Sequence, residues 1–466
     1  MLFNSYEFLF VFLPAVLLGW WALRPAVVRL AFLTAASYVF YAWWDWHFLP
    51  LMLASTTVDY VAGRALVRLD DGARRRAVLV AALSANLALL GYFKYAGFFV
   101  DSLDGVGSAL GLGQPFPELD IVLPIGISFY TFNSMSYTID IYRGQVAPAR
   151  SPLHYAAFVS MFPHLIAGPI VRYSTIEGQL RRLTPTLSWE LAASGMFFFT
   201  CGLAKKLLIA DTLAPHVDRL FAGHAHLGLV GAWAAAAGYA LQLYFDFSGY
   251  SDMAVGLAFL LGFRFPQNFD SPYKAVNISD FWRRWHMSLS FWLRDYLFIP
   301  LGGSRDGKLH TLRNLGITMF LGGLWHGAAW TFVVWGLVHG ALLIVHNLLR
   351  GAGLTPRSAA VNRAVTFACV AAAFVIFRAP SLEIAGDVLS AMAGMNGIEN
   401  LSALHAQVGA SMAAGVAALL VFVNVAPNTW QVELRPRPVY GLALGAALAA
   451  AVLTIGNPSP FIYFRF

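Results

Sequence analysis

The stretch Asn314 to Leu349, NLGITMFLGGLWHGAAWTFVVWGLVHGALLIVHNLL, decides the fold class, because it contains no Asp, Glu, Lys or Arg. A helix needs about 20 apolar residues to cross a bilayer, so this run is long enough for more than one pass or for a pass and an in-plane piece. Working outward, charge-free runs recur at Ile121 to Ile139, Ser151 to Val171, Leu227 to Phe245, Asn400 to Val432 and Pro438 to Phe464. Shorter ones lie at Phe8 to Leu23, Leu30 to Trp44, Ala77 to Phe93, Leu191 to Ala204 and Ala364 to Phe377. The chain is 58% hydrophobic and only 12% charged, about half the charge of a soluble domain. The runs lack the period-two alternation of a transmembrane barrel. Hydrophobic length divided by helix rise gives about 11 crossings plus in-plane or re-entrant helices. The expected fold is therefore all-α, a polytopic membrane helical bundle whose lasting partner is the lipid bilayer. With no linker, repeat or low-complexity tract to divide it, the chain reads as one membrane domain over 1–466.

The formal charge is +7, but its basic residues crowd into short loops, as at Arg64, Arg68, Arg74, Arg75 and Arg76. That is the positive-inside pattern, which places this loop in the cytoplasm and removes nucleic acid as an expected partner. A second basic loop holds Arg172, Arg181 and Arg182. The start, Met-Leu-Phe-Asn-Ser-Tyr-Glu, lacks a positive n-region and a small-residue cleavage site, so the first span is expected to persist. Cys201 and Cys369 both lie in apolar runs and read as packing residues, with a covalent acyl carrier as the alternative, rather than a disulfide or thiolate metal site. The segments Asp101 to Asp120, with Pro115 and Pro117, and Gly386 to Asn400 read as the most solvent-like connections.

Polar residues gather in one region, Gln242 to His326. Gln242 and Asp246 are four residues apart, as are Ser248 and Asp252, so each pair shares a helix face if the backbone stays helical past Gly249. Carboxylates at membrane depth cost about 2.5 to 3.5 kcal/mol, so they face a cavity, a partner or the wet interface. The segment Asn277 to Pro300 begins with a cap at Ser279 or Asp280 and stops at Pro300. On continuous helical spacing, Trp282, His286, Leu289, Leu293 and Leu297 form one stripe and Arg283, Ser290 and Arg294 another. Its tryptophans and arginines suit an interfacial or re-entrant helix, including a purely anchoring one.

His326 sits in Leu-Gly-Gly-Leu-Trp-His-Gly-Ala-Ala-Trp. A helix starting near Asn314 places it about 18 Å along, close to mid-membrane. Gly322, Gly323 and Gly327 clear space around it for another backbone or a ligand. An imidazole there can take a proton near neutral pH, which a hydroxyl acceptor requires, or it can bridge helices. His339 and His346 in the same run read as structural. Gly-x-Ser-x-Gly fails at Met253, His224 and His226 are too close for a helix-borne metal pair, and zinc-protease, phosphate-loop and dinucleotide fingerprints are missing. No metal is expected.

Four ordered motifs carry a resemblance. They are Phe162-Pro163-His164-Leu165-Ile166-Ala167-Gly168-Pro169, then Asp246-Phe247-Ser248-Gly249-Tyr250-Ser251-Asp252-Met253, then Phe281 through Tyr296, and Gly322-Gly323-Leu324-Trp325-His326-Gly327. On these the sequence resembles the membrane-bound O-acyltransferase (MBOAT) family, in the bacterial branch that acetylates exported polysaccharides or transfers D-alanine to teichoic acid. The likeness runs from Phe8-Leu9-Phe10 to Pro458-Ser459-Pro460-Phe461-Ile462-Tyr463-Phe464. That ending, with Asp295 to Gly303, looks more like the polysaccharide-acetylating members.

The resemblance implies a bundle pierced by a central tunnel, its catalytic core roughly at 154–349. Donor and acceptor would meet at the signature histidine, His326, with His286 as the second polar position. It implies an O-acetyltransferase of the inner membrane using acetyl-CoA or another acetyl thioester as donor substrate, with no bound cofactor. The implied partners are a periplasmic acetyltransferase or esterase-like protein and the polysaccharide synthesis and export machinery. Trp325, Asp246, Asp252, Arg283, Arg284 and His164 are further substrate-binding candidates. The rivals are D-alanyl or other acyl transfer to a cell-wall polymer, a transporter, and a non-catalytic scaffold of an export complex.

Overall fold

The structure is a computed structural model and describes residues 1–113, 116–117, 119–183, 186–434, 437–456 and 461–462. Pro115 and most of the Pro458 to Phe464 ending lie outside the described residues. Those described form helices and turns with no strand among them. Four helical stretches are long and apolar enough to cross a membrane: Gly72–Ala109, Trp189–Ala222, Trp330–Gly351 and Ala359–Arg378. Shorter apolar helices occupy Glu7–Ala22, Ala26–Ala42, Ala410–Val425 and Pro438–Leu453. The protein is thus an all-helical, multi-pass membrane protein.

The chain forms two compact units, Met1–Phe199 with Met253–Pro266, and Thr200–Asp252 with Gln267–Phe466. In the first, Phe3, Phe8, Phe12, Phe40 and Phe162 build a ring cluster, with Phe12 edge-on to Phe162 at 5.3 Å. Asp59 is fully buried there and accepts from Asn86 Nδ2 at 2.7 Å and Thr138 Oγ1 at 2.6 Å. Thr138 belongs to Ile127–Tyr142, whose buried hydroxyls explain why the charge-free run Ile121 to Ile139 is core rather than lipid-facing surface.

Several sequence expectations change. Ser151 to Val171 is not one span: helix Pro152–Ser160 stops at Met161 and a single turn Phe162–Leu165 follows, because Pro163 and Pro169 interrupt the backbone ladder. Half of each supposedly solvent-like connection is helical, in Ala96–Ala109 and Leu382–Met392. Asn314 to Leu349 divides into two helices, Lys308–His326 and Trp330–Gly351.

In the second unit these two helices form a close hairpin. A Cβ on Gly323 would strike the Phe332 carbonyl and Gly336 Cα, so the backbones meet where neither residue has a side chain. The helix Leu229–Leu260 runs unbroken through Gly249, which keeps Gln242 and Asp246, and Ser248 and Asp252, on shared faces. Its Leu229 to Asp252 part belongs to the second unit. The start is capped by Glu399, whose carboxylate accepts from Gly228 N at 2.8 Å, Val230 N at 3.0 Å and Gly231 N at 2.8 Å.

Candidate active site

His326 is the last residue of its helix, and Gly327 turns the chain into extended backbone (φ −164°) before Trp330 starts the return helix. The helix begins at Lys308, six residues before Asn314, so His326 lies about 27 Å along it rather than 18 Å. The start near Asn314 followed the charge-free run, yet Lys308, His310 and Arg313 are helical too, and Thr311 Oγ1 donates to Gly307 O at 2.9 Å. The hairpin therefore places the imidazole at its turn.

The ring is 4% exposed and stands edge-on to Trp335 at 4.9 Å, Trp325 at 5.0 Å and Phe377 at 5.3 Å between centroids. His286 lies 6.5 Å from it, and Trp325 touches both rings, being 5.9 Å from His286. Phe247, from the Asp246 motif, meets His286 at 4.7 Å. Three of the four motifs thus converge within one unit.

The backbone at His286 is where the structure departs most from the sequence reading. The helix starts on an Asn277 cap, with Asp280 N donating to Asn277 Oδ1 at 2.8 Å, and ends at Arg284. A new helix starts at Met287, and His286 between them is left-handed (φ 44°, ψ 54°). The continuous stripes through Trp282 to Leu297 and Arg283 to Arg294 are therefore broken. A non-glycine residue in that region costs about 1 to 3 kcal/mol and persists only where its surroundings hold it.

Asn268 does the holding. Its Oδ1 accepts from Ser288 N at 3.2 Å and Ser288 Oγ at 2.9 Å, its Nδ2 donates to Ser251 Oγ at 3.2 Å, and its carbonyl accepts from Met287 N at 2.9 Å. The obligate donor Ser288 N–H fixes which amide atom is oxygen. That oxygen lies 3.2 Å from His286 Nδ1, so Nδ1 must carry the hydrogen, and in the neutral ring the lone pair is on Nε2.

The carboxylates of the second motif are buried rather than wet. Lys206 Nζ is 2.7 Å from both Asp246 Oδ1 and Asp211 Oδ1. Lys205 Nζ is 2.6 Å from Asp252 Oδ2 and donates to Thr429 Oγ1 at 2.7 Å. A Cβ on Gly249 would meet the Gly202 carbonyl and Lys205 Cβ, so the missing side chain lets the lysine segment approach. Ile462 N donates to Asp246 Oδ2 at 3.0 Å, and Phe461 lies 4.8 Å from Tyr250, tying the chain's end to this motif.

The remaining candidates scatter. Arg284 is engaged by Asp280 at 3.1 Å and Asp270 at 3.4 Å, whereas Arg283 is largely exposed and lines a separate groove. His164 belongs to the first unit, where its Nε2 is 2.9 Å from the Phe158 carbonyl and its Nδ1 3.4 Å from Asn133 Nδ2. His339, read as structural, is fully buried against Trp335 at 4.6 Å and Trp282 at 5.1 Å.

Sequence reasoning missed Asn268, Trp335, Phe377 and the lysine pair. Only the last had a visible signal, two consecutive cations inside an otherwise apolar segment that demand buried anions.

Residues 147–382 match the family described as MBOAT, membrane-bound O-acyltransferase, and this interval contains His286, His326 and Asn268. The chain belongs to the membrane-bound O-acyltransferase family. It is an acyltransferase, as the resemblance implied. The probable alginate O-acetylase AlgI of Pseudomonas putida is 42% identical over the whole of both chains, and that of Azotobacter vinelandii is 47% identical over 84% of this chain and 78% of its own. The peptidoglycan O-acetyltransferase of Helicobacter pylori is 39% identical over 85% of this acyltransferase and 81% of its own length. The teichoic acid D-alanyltransferase of Bacillus subtilis shares 31% over 50% of this chain and 60% of its own.

Proposed function

We propose that this acyltransferase moves an acetyl group from a cytoplasmic thioester, acetyl-CoA, to a hydroxyl, for O-acetylation of an exported polysaccharide such as alginate. Location in the bacterial inner membrane is part of the same reading. The acceptor polymer follows the relatives named for alginate acetylation, one of which matches over its whole length. The peptidoglycan relative supports acetyl as the transferred group while leaving a second glycan as the rival acceptor. D-alanyl transfer is the weaker rival, because the relative that carries it matches half of this chain. The acceptor is a sugar hydroxyl or the serine of a periplasmic acetyltransferase or esterase-like partner that relays the group to the synthesis and export machinery.

The carrying observation is the pair of buried imidazoles, His326 and His286, 6.5 Å apart with Trp325 against both. His326 takes the acceptor's proton as the oxygen attacks the thioester carbonyl; the carbon–sulfur bond breaks, and the imidazolium returns that proton to the departing thiolate. General-base assistance of this kind contributes about 10² to 10⁴ in rate. With Nδ1–H committed to Asn268, His286 offers Nε2 as an acceptor, which suits orienting the attacking hydroxyl better than binding an oxyanion. The thioester already holds the reactivity, so no metal or bound cofactor enters a step. Asp246 and Asp252, held by lysines, act in this reading as scaffold, not as substrate ligands.

The test is transfer of labelled acetyl from acetyl-CoA to polymer by membranes carrying wild type or His326→Ala. Transfer by wild type and its loss in the variant are expected. Equal transfer by both would remove the catalytic assignment and favour a scaffold, and uptake of sugar by vesicles holding this protein alone would favour a transporter.

A further inference from the structure

A groove of about 480 Å³ lies at the far end of the hairpin from His326, enclosed by the start of Ile278–Arg284, the last turns of Trp330–Gly351 and the first turns of Ala359–Arg378. That volume falls in the range of ligand clefts, roughly 300 to 1,000 Å³. Both longer helices are long and apolar enough to span a bilayer, and the groove sits where one ends and the next begins. It therefore opens at a membrane–water boundary.

Its chemistry is one-sided. Arg283, His346 and Arg350 line it, and among the described residues no carboxylate does. Arg283 has only a long contact of 3.7 Å with Asp280, whose same oxygen is held closer, at 3.1 Å, by Arg284. The chain from His346 to Arg378 contains no acidic residue, while Arg350, Arg357 and Arg363 cluster at the connection, marking this end as cytoplasmic. Beside the cations, Val345, Leu349, Leu354 and Val365 line the groove with apolar side chains 40% to 66% exposed. A water-filled mouth for a soluble phosphate would have little use for an exposed apolar wall. An acyl chain has every use for one.

We propose that this groove is a binding site for an anionic membrane phospholipid, with the phosphodiester held between Arg283 and Arg350 and the chains along the Val345, Leu349 and Val365 wall. Basic pockets at helix ends on the cytoplasmic side recognise acidic headgroups, at about 1 kcal/mol for each Arg near the surface. The site is distinct from the acyl-transfer centre: His326 packs on Trp335, and Val345 to Arg350 lie 10 to 15 residues further along Trp330–Gly351, about 15 to 22 Å, with Arg283, three residues before His286, as the part nearest the catalytic pair.

The test uses the purified full-length protein in a neutral detergent, titrated with phosphatidylglycerol or phosphatidylcholine and read by native mass spectrometry and by melting temperature. Phosphatidylglycerol is expected to stay bound and raise the melting temperature where phosphatidylcholine does not, and Arg283→Ala with Arg350→Ala to weaken it roughly 30-fold. A paired Arg283→Lys, Arg350→Lys variant, which keeps the charge, should retain most of the binding and guards against misfolding as the cause. Equal retention of phosphatidylglycerol by wild type and the alanine variant would overturn the proposal. Displacement of the lipid by free coenzyme A or inorganic phosphate at micromolar concentration would overturn it too, assigning the groove to a soluble phosphate instead.

Discussion

The lysine–carboxylate cluster and the histidine cluster lie in the same unit, yet burial is made tolerable in opposite ways. Around Asp246 and Asp252 each anion meets a cation at 2.6 to 2.7 Å, and Thr429 Oγ1 and Ile462 N fill further acceptor positions. Such a cluster is rigid because each member leaves a costly charge behind if it departs. Around His326 the packed rings are those of Trp325, Trp335, Phe377 and His286, an environment that disfavours the imidazolium and so keeps the ring in its neutral, proton-accepting form. The first cluster holds the architecture; the second is suited to chemistry.

That contrast breaks most sharply on His326→Ala, which should lower acetyl transfer by about 10² to 10⁴ while the melting temperature in detergent stays near wild type. A large loss of thermal stability in this variant would make the ring a packing residue. Lys206→Met should do the reverse, costing about 3 to 5 kcal/mol in folding by leaving Asp246 and Asp211 uncompensated, measured by melting or denaturant titration. Adding Asp246→Leu and Asp211→Leu should recover much of that loss; no recovery would mean that the pairing is not what stabilises the site.

Between these extremes, Asn268→Ala removes the amide that holds His286 left-handed and protonated on Nδ1. The expected cost is about 1 to 3 kcal/mol of stability, together with a lower kcat at little changed KM for the donor. A change confined to KM would count against the positioning role. The smallest effect is expected at Glu399. Burial raises its carboxyl pKa, but the backbone N–H groups of its own residue and of Gly231, Val230 and Gly228 lower it, leaving the net value below the ordinary carboxylate range. A depressed folded pKa stabilises above the unfolded value, and that contribution disappears as pH falls through the folded one. Glu399→Gln should therefore melt below wild type at neutral pH by about 0.3 to 1 kcal/mol, and the two curves should converge on acidification; a gap independent of pH would assign the effect to geometry alone.

Membrane class and helical architecture were legible in the sequence because composition carries them, whereas the pairing of His326 with His286 was only what the family resemblance implied. The broken helix at His286 was not legible, since helical spacing alone cannot report a residue forced to positive φ by an asparagine outside the segment. Nor was the start of the helix at Asn314 exact: the charge-free run begins there, whereas the helix starts at Lys308, where charged residues are readily solvated. Asn268 shows why the rest was hidden, because its importance comes from contacts with Ser251, His286 and Ser288, which no periodicity links to it.

The adjacent lysines at 205 and 206 have a consequence for how the chain is made. They leave the ribosome some forty residues before Asp246, and Asp252 follows a little later. For that interval, of the carboxylates that pair with them in the fold, Asp211 alone has been made, and a cation stranded in lipid costs about 2.5 to 3.5 kcal/mol. Full neutralisation of the lysine segment therefore depends on Leu229–Leu260, which carries Asp246 and Asp252, so neither segment is electrostatically complete in the bilayer without the other.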